Sequence, residues 1–300
     1  MKGTMAALVM WAALSVSALA QAPAQPSNAG QSSTAPQPQP AQTPATPGKH
    51  EPVAKTQEEY KAYQDAVSKP DGPSAEAAAD AFAKQFPQSE LRAPLFQHVM
   101  SLYQNANNSD KVLEWGRKTL DVEPDNGPAL VTVATVLSTR TQETDLDRDE
   151  RLAEAKKYAT RAIELANAGQ AVPAGTPAAQ IGPYRDTILS MAYAALGAVE
   201  FDYKNYTAAE MDLRKSVAPS LAEPDPVTWY QLALTLQREN KNSDALTATQ
   251  KCVAAAKDSP QVANVCKNLE TYLEKVVSNP PAKPANNSPA PPSQSQVQPK

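Results

Sequence analysis

Histidine and cysteine each occur twice in 300 residues, at positions 50 and 98 and at 252 and 266. His50 falls in a proline-rich stretch and His98 in a helical one, so neither a zinc triad nor a Cys/His dyad is expected. Glycine is scarce, with ten residues against 28 prolines. No Gly-x-Gly-x-x-Gly or P-loop occurs, and the tight turns that cradle phosphates in nucleotide-binding folds have few places to form. Aromatics make up 6% of the chain. Basic residues are not in excess: 28 Lys and Arg against 32 Asp and Glu leave a net charge of -4, so there is no electrostatic footprint for nucleic acid. Carboxylates are plentiful, as in Glu58-Glu59, but no matched acid and base accompany them. Asp145-Leu-Asp147-Arg-Asp149 resembles the start of a calcium loop. That loop needs glycine where Glu150 stands and a closing Glu where Lys156 stands. The cluster is expected to be a solvated insertion capping the next helix. These absences predict a chain that is not an enzyme and has no catalytic, metal or cofactor site.

What is present is apolar content of 41%, mostly alanine and leucine, enough for a folded body. At the N-terminus Lys2 precedes an apolar run from Met5 to Leu19, short for a bilayer span, and Ala18-Leu19-Ala20 has the small-x-small pattern of a signal-peptidase site. Residues 1–20 are therefore expected to be a signal peptide. No later stretch is apolar and long enough to span a bilayer, so no integral membrane span is expected after cleavage. Residues 21–54 and 279–300 are rich in Pro, Ala, Gln and Ser and are expected to be disordered. The folded part is then 55–278.

Within it the pattern repeats. Phe96, Val99, Met100 and Tyr103 lie at helical spacing, Asn107-Asn108-Ser109-Asp110 makes a turn, and Val112, Thr119 and Leu120 follow before Pro124. Leu130, Val133, Ala134 and Leu137 restart the series about 34 residues on. Tyr193, Leu196 and Gly197 with Ala209, Leu213, Ser216 and Val217 form another copy. Trp229, Leu232, Ala233 and Leu236 with Ala245, Thr249, Cys252 and Val253 form the next. Tyr60, Tyr63, Val67, Phe82 and Phe86 form a degenerate first copy. The expected units are 56–89, 93–126, 127–166 with a polar insertion at 139–149, 184–218 and 226–259, closed by a helix at 261–277. The stretch from Ala168 to Gly182, with Pro173 and Pro177, reads as a long linker running up to Pro183. Small residues let paired helices approach: Gly197 and Ala233 should face Ala209 and Ala245, and Thr119, Ala162, Ser216 and Cys252 should receive the next unit.

These residues resemble the tetratricopeptide repeat family, of the exported bacterial type. Trp229-Tyr-Gln-Leu232-Ala233 and Tyr193-Ala-Ala-Leu196-Gly197 look like its first-helix opening, and Asp121-Val-Glu-Pro124 looks like its closing turn. The resemblance implies an all-α solenoid of helical hairpins, a superhelix whose concave face binds a partner segment. Carried over geometrically, that groove would consist of Gln97, Ser101, Gln104, Val131, Thr135, Ser138, Ala194, Ala198, Phe201, Tyr230, Leu234 and Arg238. It is nearly neutral, unlike the Lys- and Arg-lined grooves that clamp acidic C-termini. The implied function is a protein–protein interaction scaffold of the cell envelope with unidentified protein partners. A wall- or membrane-associated spacer whose tails do the binding is the alternative. Cys252 and Cys266, placed on neighbouring helices, are expected to form a disulfide in an oxidising periplasmic or extracellular compartment, worth about 3 kcal/mol in the chain-entropy model. Two buried thiols are the alternative.

Exported protein is expected to begin at Gln21. Intact-mass measurement on material from the cell envelope checks this, and a full-length cytoplasmic species would refute it.

Overall fold

A computed structural model describes residues 50–218 and 224–279. The expected leader at 1–20, most of the 21–54 segment and the tail beyond residue 279 lie outside the described residues.

Among the described residues there are eleven helices and no strand. They pair as hairpins: α1 (Gln57–Val67) with α2 (Gly72–Gln85), α3 (Arg92–Asn105) with α4 (Ser109–Val122), α5 (Gly127–Arg140) with α6 (Arg148–Asn167), α7 (Ala178–Asp202) with α8 (Tyr206–Ser216), and α9 (Pro226–Arg238) with α10 (Asn242–Ala255). The last helix, α11 (Pro260–Ser278), packs on α10. Each helix packs against the next in chain order, which is the arrangement of an all-α hairpin stack.

The local chemistry explains where helices start and stop. Thr56, Asp71, Asn108, Asn126 and Asp225 cap α1, α2, α4, α5 and α9, each accepting a backbone N–H from the first turn. Proline occupies the first turn of α2, α5, α9 and α11, where its missing N–H has no helical partner to lose. Three hairpins turn in the same way. Asn107, Lys204 and Asn240 sit in the left-handed region, with φ of 54°, 64° and 61°. The next residue's N–H reaches back to the carbonyl of Tyr103, Glu200 or Leu236 at 2.9, 2.8 and 2.9 Å. This is a Schellman closure, which satisfies carbonyls that a helix end would otherwise leave bare. Two of the three use asparagine, which tolerates this conformation; Lys204 holds it against its preference.

The interior is a chain of adjoining clusters. One unites the first two hairpins around Leu91, Leu95, Met100 and Trp115. The largest joins α4 to α7 around Leu130, Leu137, Leu152, Leu165 and Ile188. The last hairpin and α11 share Leu232, Leu236, Ala245 and Leu273. Small residues occupy the contacts expected of them. A methyl group at Gly197 would lie 2.5 Å from Leu213 Cγ and 3.3 Å from the Ala209 carbonyl oxygen. Thr119, Ala162, Ser216 and Cys252 are wholly buried. Ser216 also makes a reciprocal pair: its hydroxyl donates to the Ser190 carbonyl at 2.8 Å, and the Ser190 hydroxyl donates to the Ser216 carbonyl at 3.0 Å.

Four expectations need correction. The polar insertion is shorter than 139–149, because α5 runs to Arg140 and α6 starts at Arg148. Asp147 precedes α6 without making a side-chain cap. The long linker ends five residues early, since α7 begins at Ala178 and passes through Pro183. A proline at the sixth helical position deprives the Ala179 carbonyl of its donor, but Ala179 is exposed and water can replace it. Burial of Tyr184, Ile188 and Leu189 just beyond outweighs that loss, at roughly 1.5–3 kcal/mol for each large apolar side chain. Finally, residues 50–54 are not part of a free segment: Ala54 is buried in the first cluster.

Ala209→Leu is expected to lower stability by roughly 1–3 kcal/mol through overpacking against Gly197. Lys204→Ala, on the turn, should change it by less than about 0.5 kcal/mol. Thermal or urea melts of the two variants check this, and equal effects would show that the helix contact is misassigned.

Candidate functional site

Three of the four neighbouring pairs of first helices contact one another directly: α1 with α3, α5 with α7, and α7 with α9. No second helix packs closely on the next second helix. The second helices are joined instead by long charged side chains. Lys111 reaches Glu76 at 2.6 Å, Lys118 reaches Asp80 at 3.3 Å, Arg117 reaches Glu154 at 2.6 Å and Arg214 reaches Asp244 at 3.1 Å. The first helices thus share the more closely packed side of the stack.

The groove residues form stripes at i, i+4 and i+7 or i+8 on α3, α5, α7 and α9. On α3, Gln97, Ser101 and Gln104 remain partly accessible. The Ser101 hydroxyl donates to the Gln97 carbonyl at 3.0 Å, and the Asn126 amide donates to the Gln97 side-chain oxygen at 3.1 Å. On α9, Tyr230 and Leu234 are half-buried and Arg238 is exposed. Between them the groove closes. Val131 is 0% and Ser138 3% exposed, so neither is a groove residue. Thr135 turns its hydroxyl to the Val131 carbonyl at 2.7 Å. The reason is the extra length of α7, whose Tyr184, Ile188 and Leu189 share one core cluster with Val131. On α7 itself Ala198 is buried and Ala194 half-buried.

Phe201 and Tyr230 are not an exposed pair either. The Phe201 ring packs edge-on against Tyr206 across its own hairpin, with centroids 5.4 Å apart. Tyr230 packs against the cluster around Cys252 and Cys266. Those two cysteines are bonded to each other with Cα atoms 6.0 Å apart. Both are fully buried, and the bridge ties α10 to α11. No signal in the sequence pointed to the length of α7, because Pro177 and Pro183 flank its start and argue for a loop.

At the turn edge two carboxyls are shifted in opposite directions. Burial pushes the Asp202 carboxyl up to about 6, with Arg148 opposing and Glu143 adding to the rise. Arg148 also donates to the Asp202 carbonyl and lies 5.5 Å from the Tyr203 ring centre. Burial likewise pushes Glu200 upward, but hydrogen bonds from Lys156 and Asn205 outweigh it and hold this carboxylate below its ordinary range. Burial lowers the pKa of the His98 imidazole. Among the described residues no three His, Cys, Asp or Glu side chains are grouped to hold a metal ion. No described helix is long and apolar enough to cross a membrane. No protein-family model matches the chain, and no curated protein matches it.

Asp202 binds its proton more tightly folded than unfolded, so its contribution favours the fold at low pH and is lost as pH rises through about 6. Asp202→Asn is therefore expected to raise the melting temperature at pH 7.5 and to change it little at pH 4. Melts of both proteins across that range check this; an equal shift at both pH values would refute it.

Proposed function

We propose that this chain is a non-enzymatic protein-binding scaffold of tetratricopeptide type, acting in the cell envelope after export. The residues quoted for the family and the shared closure at Asn107, Lys204 and Asn240 support the repeat reading. The Cys252–Cys266 bond suits an oxidising compartment. One observation carries the binding reading. The charged groups between second helices are largely taken up by cross-hairpin ion pairs, whereas the α9 stripe offers an aromatic, a leucine and an exposed arginine one turn apart. Aromatic and Arg side chains on a rigid support are the usual material of a binding hot spot.

The blocked middle of the inner face divides the surface in two. The α9 stripe would take an apolar side chain beside Leu234 and a carboxylate on Arg238. The α3 stripe, with Gln97, Ser101 and Gln104, would hydrogen-bond a polar or backbone group. A partner segment touching both must pass over the α5–α7 contact.

The test is capture from envelope extract by mature protein lacking residues 280–300, and by the same protein carrying Leu234→Glu and Arg238→Glu. Tail-deleted protein should retain its partner and the double variant should lose at least about tenfold in affinity, or 1.4 kcal/mol, with unchanged helicity. Capture that disappears with the tail, or survives the double substitution, would overturn the reading.

A further inference from the structure

Helix α11 begins at Pro260, 34 residues after the Pro226 that begins α9. In that register the two helices bury the same positions. Val262 stands where Thr228 does and Cys266 where Leu232 does, and all four are buried. α11 also touches α9 directly, as α9 touches α7. It is thus placed as the first helix of a sixth unit, and the Cys252–Cys266 bond fixes it there. The side that would receive a second helix is charged instead. Lys267 and Glu270 stand where Ala233 and Leu236 are buried on α9, and neither is buried.

The same register extends the α9 stripe sideways. Tyr230, Leu234 and Arg238 are matched on α11 by Asn264, Asn268 and Tyr272. All three α11 residues are exposed, Tyr272 to 51%. The two stripes adjoin, because Tyr230 and Val265, the neighbour of Asn264, pack on one small cluster around the disulfide. Arg238 is exposed and makes no ion pair among the described residues, so this surface carries an available positive charge beside apolar and amide groups.

Spacing selects the ligand conformation. Successive members of each stripe are four residues apart, a rise of about 6 Å. Alternate residues of an extended chain are about 6.6–6.8 Å apart. Every second residue of such a chain also turns its N–H and its carbonyl to the same edge. An extended segment lying along the valley between α9 and α11 therefore meets one row of the surface for every two of its own residues.

We propose that α9 and α11 together bind an extended peptide segment with two apolar residues and an acidic one at alternate positions. Its apolar side chains pack on Tyr230 and Leu234, and its carboxylate pairs with Arg238. Along its other edge the backbone exchanges hydrogen bonds with Asn264 and Asn268, whose amides each offer donors and an acceptor. Tyr272 flanks the acidic end. This names the ligand class of the binding function proposed above and rests on it.

The experiment is an NMR titration of the mature chain with acetyl-Thr-Leu-Thr-Leu-Thr-Asp-Thr amide and with the same peptide in reverse order. At least one order should shift the Asn264 and Asn268 side-chain amides, with a Kd of about 1 mM or tighter. Asn264→Ala combined with Asn268→Ala should weaken binding at least about threefold, with an unchanged melting temperature showing that the fold is intact. The loss should persist when every Thr of the peptide is replaced by Ala, since the contact is to backbone. No shift at those amides with either peptide at about 5 mM, or full affinity in the asparagine variant, would overturn the inference. A loss that vanishes with the Ala peptide would overturn backbone recognition. Binding that is destroyed by Leu234→Glu with Arg238→Glu but not by the asparagine substitutions would remove α11 from the site and leave the function proposed above standing.

Discussion

Two α-helices approach most closely where one of them carries almost no side chain, and the hairpins of this chain use that allowance. Gly197 admits Leu213 and the Ala209 carbonyl. Ala233 and Ala245, both wholly buried, do the same for the last hairpin. Close approach inside a hairpin leaves its larger apolar side chains pointing at the next one, and those residues form the clusters that run from α1 to α11. No hairpin could bury that surface alone, so stability belongs to the stack.

The same dependence explains why the second helices can stand further apart. They are not needed to seal the interior, and their separation is bridged by lysine and arginine, whose long stems span it. Such partly exposed pairs add little stability individually. Their effect is to occupy the outer surface and leave the first helices as the side on which side chains remain available. There the extra turns of α7 intervene. They convert what equal repeats would have made a continuous channel into two separate stripes, on α3 and α9.

Much of this was written in the order of residues. Apolar spacing placed all eleven helices, because burial on one face imposes the 3.6-residue period directly on the sequence. Asn107-Asn108 marked one hairpin turn, since asparagine accepts both the left-handed closure and the cap that follows; Lys204-Asn205 marked another through its polarity, although lysine disfavours that backbone and Asn205 makes no side-chain cap. The pairing of Cys252 with Cys266 was legible for a similar reason: the repeat places one on the last hairpin and the other on the helix that must cover it. The groove was less legible. Val131 and Ser138 hold the same repeat positions as Gln97 and Gln104, and nothing in their own spacing distinguishes an accessible stripe from a covered one.

The sequence by itself therefore determined the class of fold, the helices among the described residues, the small residues at the contacts and the turns between them. Each of these follows from interactions among residues close together in the chain. Only the tertiary structure decided which part of the inner face is open. That depended on helix α7 continuing through Pro183 and on its Tyr184, Ile188 and Leu189 joining Val131 of α5 in one buried cluster. That cluster joins residues some 50 to 60 positions apart, and burial gained at such a distance overrides the local preference of a proline to end a helix.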